Sequence, residues 1–182
     1  MRGALFFDRD RTLVGDAPEG LASSAAHAPE HLVPLPGAFE AVRRARAAGL
    51  WVVVVTNQPG PAKGQYSRAA VAATNACFLE RFAEAGASID AVYVCEHHPQ
   101  GGAGGDLLLI RECDCRKPKP GLILQAAREL HIDLTRSALV GDDVRDLEAA
   151  RAAGIAGYRV GAHGVPVLDA VEQALRVLGV AY

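Results

Sequence analysis

Four apolar residues close to the amino terminus, Ala4-Leu5-Phe6-Phe7, stop at two carboxylates one residue apart, Asp8 and Asp10. A continuous apolar run of this length reads as a short strand buried on both faces. Such a strand belongs in a parallel sheet with helices above and below it. Aspartate is a poor strand residue and is costly to bury without a partner. At the carboxyl end of a buried strand it calls for a cation, a phosphoryl group or both. Open α/β sheets place their ligands at that edge. Taken alone, the stretch also suits the start of an ordinary loop.

The rest of the chain repeats the pattern. Leu50-Trp51-Val52-Val53-Val54-Val55 is the clearest strand and ends at Thr56-Asn57-Gln58. Ala91 to Cys95, Ser137 to Val140 and Gly157 to Val160 complete a predicted set of five. Helices are predicted between them. One opens at Pro36-Gly37, runs to about Ala48 with Phe39, Val42 and Ala45 on one face, and stops at Gly49. A second runs from Arg68 to about Ala85 behind Ser67 as N-cap. Others run from Pro120 to Leu130, Val144 to Ala153 and Val167 to Leu178. Alternating strands and helices predict an α/β fold with a doubly wound parallel sheet. Residues 14–36 read as a long loop with at most one helical turn, placed to wall the acidic site.

The 182 residues suffice for one domain, taken as 1–182, with a substantial core. A formal net charge of -2 and the lack of a basic stripe argue against nucleic acid or an anionic membrane as partner. The apolar runs are too short to span a bilayer, and no signal-peptide pattern precedes Asp8. A cytoplasmic location is the expectation.

In a parallel sheet the carboxyl ends of the strands share one edge. Asp8 and Asp10, Thr56 and Asn57, and Asp142 and Asp143 all fall there, and Lys117 follows the third strand after a long insertion. Carboxylates, a hydroxyl and a lysine together suit phosphoryl transfer. Magnesium and lysine offset the charge on the transferred group, and a hydroxyl orients it. No glycine-rich loop precedes a Lys-Ser or Lys-Thr pair, so a P-loop enzyme is excluded.

The insertion carries a second signal. Cys95-Glu96-His97-His98-Pro99 and Cys113-Asp114-Cys115-Arg116-Lys117-Pro118 supply three thiols and a histidine around a glycine-rich stretch at 101–105. Cys95, His97, Cys113 and Cys115 suit a closed, tetrahedral, structural zinc site rather than a catalytic one. The loop has little apolar content to fold it, and a metal would supply that order. His98 reads as a neighbour of the site. Cys77, inside a predicted helix, reads as a small buried apolar residue.

Asp8-Arg9-Asp10-Arg11-Thr12, then Thr56, then Lys117, then Gly141-Asp142-Asp143 with Asp146 resemble, in order, the four motifs of the haloacid dehalogenase superfamily. The resemblance spans nearly the whole chain. It implies a Rossmann-like fold of haloacid dehalogenase type and a phosphatase that works through an aspartyl-phosphate. It implies Asp8 as nucleophile and Asp10 as general acid and base. Thr56 would bind the phosphoryl group and Lys117 would balance its charge. Magnesium would sit on Asp8, Asp142 and the backbone carbonyl of Asp10. Asn57 and Arg116 would help bind substrate.

The Cys-x-His-His-Pro and Cys-x-Cys-Arg-Lys-Pro-x-Pro-Gly pair is similar to the loop of the heptose-1,7-bisphosphate and histidinol-phosphate phosphatases. Those enzymes are small and lack a large cap, which leaves substrate recognition to loops. The resemblance implies hydrolysis of a small-molecule phosphate ester. D-glycero-D-manno-heptose 1,7-bisphosphate, cleaved at the 7-phosphate, is the first expectation and histidinol phosphate the alternative. A non-catalytic binding protein on a decayed fold is a third possibility, and a monomer is expected. Three positions depart from the group. Arg11 stands where it has glycine, Asp143 where the heptose enzymes carry lysine, and Ala25-Ala26-His27-Ala28-Pro29 where they have a tyrosine-containing pattern.

Overall fold

The computed structural model describes residues 1–15 and 28–180. Five parallel strands form one sheet: β1 (Ala4–Phe7), β2 (Trp51–Asn57), β3 (Ala91–Cys95), β4 (Ala138–Gly141) and β5 (Ala156–Arg159), in the order β3-β2-β1-β4-β5. The helices are α1 (Ala38–Ala47), α2 (Gly60–Lys63), α3 (Arg68–Glu84), α4 (Gly121–Glu129), α5 (Val144–Ala152) and α6 (Val167–Val177). This is the expected doubly wound α/β architecture, and no large cap interrupts the described residues.

Strand periodicity divides the core. Leu5, Phe7, Val52, Val54 and Val140 point to the face covered by α1, α3 and α6. Ala4, Phe6, Val53, Val55 and Leu139 point to the face covered by α4 and α5. β1 pairs on both sides, with Phe7 opposite Val54 and Val140. All four residues of β1 are fully buried, which is why its sequence shows no alternation.

Element ends follow local chemistry. Ser67 Oγ accepts from the Ala70 amide and starts α3. Asp143 and Asp146 form a reciprocal capping box at the start of α5. The short α2 was not anticipated, because Gln58-Pro59-Gly60-Pro61 spells a turn. Proline is tolerated in a first helical turn, and Pro61 sits there.

The expected loop over 14–36 falls largely outside the described residues, as do Ala25, Ala26 and His27 of the departing segment. Its described ends meet, with Gly15 N–H bonding Val33 O at 2.8 Å. One 3₁₀ turn, Pro29–His31, lies in its second half. Cys77 lies half-buried on α3, its Sγ 3.8 Å from Pro29 O.

Phe82 of α3 is fully buried, with the Phe39 ring centroid at 4.8 Å and that of Phe78 at 4.7 Å. Phe82→Ala should therefore destabilise the protein by about 3–5 kcal/mol. Denaturant unfolding with an unchanged m-value checks this.

Candidate active site and metal centre

The sheet register places Asp8 and Asp142 just past the ends of β1 and β4, and Thr56 and Asn57 within the last turn of β2. Asp8 N–H is still held by Val140 O at 3.0 Å, so Asp8 extends the strand rather than opening a free loop. Lys117 reaches this edge from the end of the insertion. Its Nζ lies 2.7 Å from Asp8 Oδ1, 2.6 Å from Asp146 Oδ1 and 2.8 Å from Val55 O. The backbone of Lys117 is pinned by Asn57, whose carboxamide donates to Lys117 O and accepts from Lys117 N, both at 3.1 Å. Asn57 also lines the cleft, but its side chain is committed to Lys117.

Lys117 and Asp146 are 4 % and 1 % exposed. One ammonium thus serves two carboxylates in a dry setting. Burial is the main force on Asp8 and pushes its carboxyl up to about 7; Asp146 and Asp10 add to this and Lys117 opposes it. Burial works against the charged form of Lys117, yet Asp8 and Asp146 hold it above its ordinary range. Asp146 can come this close because residue 141 is glycine. A Cβ there would lie 2.5 Å from Asp146 Cγ and Oδ2.

Asp8, Asp142 and Asp146 each offer a carboxylate oxygen within 4.8 Å of the others. Asp142 Oδ1 is buried without a hydrogen-bond partner. Its other oxygen faces Arg11 Nε at 3.1 Å. An orphaned buried carboxylate oxygen beside Asp8 fits a hard divalent cation such as magnesium. Asp146 serves this cluster differently, since its two oxygens already accept from Lys117 Nζ and Asp143 N. The Asp10 side chain lies outside the cluster.

Asp10 is instead held from beneath. Arg9, 1 % exposed, donates through Nε and Nη2 to both Asp10 oxygens at 3.0 and 3.2 Å, and through Nη1 to Asn75 at 2.6 Å. Gln58 Nε2 donates to Asp10 Oδ2 at 2.5 Å and to Thr56 Oγ1 at 2.9 Å. Tyr66 O–H donates to Gln58 Oε1 and fixes the orientation of the amide. Burial, with Asp10 nearby, pushes the Tyr66 phenol up to about 12, so it remains a donor. Thr56 lies under this network, 1 % exposed.

Asp8, Asp10, Asn57, Arg116 and Lys117 line one cleft of about 210 Å³ with Lys63 and Arg145. Sequence reasoning assigned no role to Lys63, Arg145, Arg9 or Gln58. No local sequence pattern marks any of the four.

The second cluster sits at the end of β3. Cys95 Sγ lies 3.6 Å from Cys113 Sγ and 3.1 Å from Cys115 Sγ, and the latter two are 3.4 Å apart. His97 Nδ1 is 3.8 Å from Cys95 Sγ and 3.3 Å from Cys115 Sγ. Ligand bonds of about 2.0–2.3 Å in a tetrahedron give edges of roughly 3.4–3.8 Å, so the four residues fit a closed zinc site. His97 Nε2 faces Arg111 Nη2 at 2.9 Å. A guanidinium only donates, so a metal on Nδ1, which puts the proton on Nε2, requires Arg111 to move aside. His98 faces away from the thiols, its Nδ1 accepting from Gln100 N.

The loop is seated on α2 through glycines. A Cβ at Gly105 would lie 2.0 Å from Ala62 O, and one at Gly102 2.4 Å from Lys63 O. Arg116 Nη1 bonds His97 O at 3.4 Å, which ties the thiol cluster to the cleft wall.

Residues 114–178 match the HAD-hydrolase-like family. The D-glycero-beta-D-manno-heptose-1,7-bisphosphate 7-phosphatase of Pasteurella multocida is 35 % identical over 98 % of this chain and 92 % of its own. The chain belongs to the HAD-like hydrolases. A HAD-like phosphatase structure from Mesorhizobium loti superposes with a TM-score of 0.81 at 33 % identity, covering 97 % of this chain and 86 % of that one. The D,D-heptose 1,7-bisphosphate phosphatase of B. bronchiseptica, complexed with magnesium and phosphate, gives 0.75 at 30 % identity over 97 % and 99 %. This HAD-like hydrolase is a phosphoric monoester hydrolase, which sets aside the reading of a non-catalytic binding protein. Among the described residues no helix is long and apolar enough to cross a membrane.

If the thiol cluster holds zinc, purified protein should contain about one zinc per chain. The double variant Cys113→Ser, Cys115→Ser should lose it and melt at lower temperature. Its activity should fall with it, because Arg116 and Lys117 follow Cys115 directly. Metal analysis and calorimetry check this, and unchanged zinc and melting would sink the assignment.

Proposed function

We propose that this HAD-like hydrolase removes the 7-phosphate of D-glycero-β-D-manno-heptose 1,7-bisphosphate through an aspartyl-phosphate on Asp8. The observation that carries the chemistry is the Asp8–Lys117–Asp146 cluster, with its ion pairs of 2.7 and 2.6 Å, beside the orphaned Asp142 oxygen. The substrate follows from the relatives, whose names specify the heptose bisphosphate and its β-anomer.

In this reading an Asp8 oxygen attacks phosphorus and the bond from phosphorus to the sugar oxygen breaks. Asp10 gives its proton to that oxygen. Asp10 then takes a proton from water, which attacks the same phosphorus, releases phosphate and restores Asp8. Lys117 keeps Asp8 oriented and offsets the charge on the phosphoryl group. Thr56, its hydroxyl held by Gln58, binds the phosphoryl group, and Asn57 faces the substrate while fixing Lys117. Arg116 recognises substrate. Asp8, Asp142 and the Asp10 carbonyl would hold magnesium, which supplies charge neutralisation for the phosphoryl oxygens. Arg9 is a positioning residue, since both Asp10 oxygens accept from it. Three thiols gathered as metal ligands support a reducing, cytoplasmic setting.

Asp8→Asn should abolish turnover and leave the fold intact. Phosphate release from both heptose anomers and from histidinol phosphate, with magnesium and with chelator, tests the substrate. A magnesium-dependent preference for the β-heptose ester supports the reading, and preference for histidinol phosphate overturns it.

The Asp8 carboxyl sits at about 7 before metal binds, and a bound cation needs the carboxylate. Below pH 7 the cation must displace a proton, whereas well above pH 7 it need not. Magnesium binding should therefore release protons at pH 6.5, release almost none at pH 8.5, and weaken as pH falls. Titration calorimetry in buffers of different ionisation enthalpy measures this. Proton release that does not change across the range would show that Asp8 is already ionised.

A further inference from the structure

Besides Lys117, paired with Asp8 and Asp146, and Arg11, paired with Asp142, three cations reach the cleft: Lys63 from the end of α2, Arg116 from the residue after Cys115, and Arg145 from the first turn of α5. Lys63 has no carboxylate partner among the described residues. Arg116 makes one long bond, to a backbone carbonyl at 3.4 Å. Arg145 uses Nε and Nη2 on the two oxygens of Asp143, both at 2.9 Å, which leaves Nη1.

Clustered like charges around a concave surface are unfavourable until an anion joins them. The scissile phosphoryl group does not meet that need. It must lie on Asp8 at the cleft floor, where buried Lys117 already serves it. The rim cations are therefore matched to a second anionic group. Asp143 does not work against this. Arg145 cancels its charge, and the pair is built into the N-terminal cap of α5.

We infer that Lys63 and Arg145, which line the same cleft as Arg116, form an anion subsite for the phosphate that is not cleaved, and that Asp143 holds Arg145 in place for it. This deepens the bisphosphate reading of the proposed function and rests on it. The subsite predicts a preference for doubly phosphorylated over singly phosphorylated sugars, expressed in KM.

The test uses two substrate pairs: the heptose 1,7-bisphosphate with heptose 7-phosphate, and fructose 1,6-bisphosphate with fructose 6-phosphate. The variants are Lys63→Gln, and Arg145→Gln combined with Asp143→Asn so that no unpaired acid remains. Each should reduce the bisphosphate-over-monophosphate ratio of kcat/KM by about tenfold, mainly through KM. Arg145→Lys should recover part of it. Equal losses on both members of a pair, or no loss, overturn the subsite. If the heptose pair is not hydrolysed while the fructose pair shows the loss, the subsite stands and the heptose reading falls. If neither pair is hydrolysed, titration calorimetry of the same compounds on the magnesium-loaded protein decides. A bisphosphate that binds no tighter than its monophosphate overturns the proposal.

Discussion

The site depends on one ammonium shared by two carboxylates. Lys117 Nζ touches Asp8 and Asp146 from within a region that water barely reaches. Burying a charge is costly unless it is paired and hydrogen-bonded, and breaking a buried pair costs about 3–5 kcal/mol. Much of the surrounding sequence supports this arrangement. Asn57 fixes the Lys117 backbone, Val55 O takes a third ammonium proton, and Gly141 makes room for Asp146. Two acids on one base, with Asp142 alongside, leave an excess of negative charge. Burial, with this excess adding to it, raises the Asp8 carboxyl, and the excess itself fits a divalent cation.

The same logic extends to the thiol cluster. Residues 96–116 add little to the core: Leu107 and Leu108 remain 82 % and 80 % exposed and only Leu109 is buried. The loop is ordered from its ends and its middle, by four ligand residues at one side and by glycines lying flat on α2 at the other. It delivers Arg116 and Lys117 to the cleft as consecutive residues. A zinc ion in this position would act on catalysis only through where those two side chains stand.

Strand identity was legible because burial on both faces leaves unbroken apolar runs, as in Phe6-Phe7 and Val52 to Val55. Strand-end carboxylates were legible because acids do not belong there otherwise. The layer beneath them was not. Arg9 reads as a surface residue in sequence, yet it is 1 % exposed and grips Asp10 from below. Its burial depends on Asn75, sixty-six positions away on α3, and no local pattern announces such a contact. Gln58 and Tyr66 were missed for the same reason. The short α2 was hidden by prolines that usually mark turns, and Lys63 was hidden with it.

Two departures from the resembling phosphatases, Arg11 and Asp143, have local compensations. Arg11 adopts φ 58°, a left-handed conformation that costs a non-glycine residue roughly 1 kcal/mol. In exchange its guanidinium occupies Asp142 Oδ2, which turns Oδ1 inward as the unpartnered oxygen of the acidic cluster. Burial raises the Asp142 carboxyl and Arg11 pulls it back, so the arginine favours the ionised form that a cation needs. Asp143 is likewise neutralised within its own turn by Arg145, which holds it well below the usual carboxylate range. Each unusual residue has thus acquired its counter-charge within a few ångströms. The acid cluster at the strand ends therefore keeps its charge balance while the rim of the cleft changes.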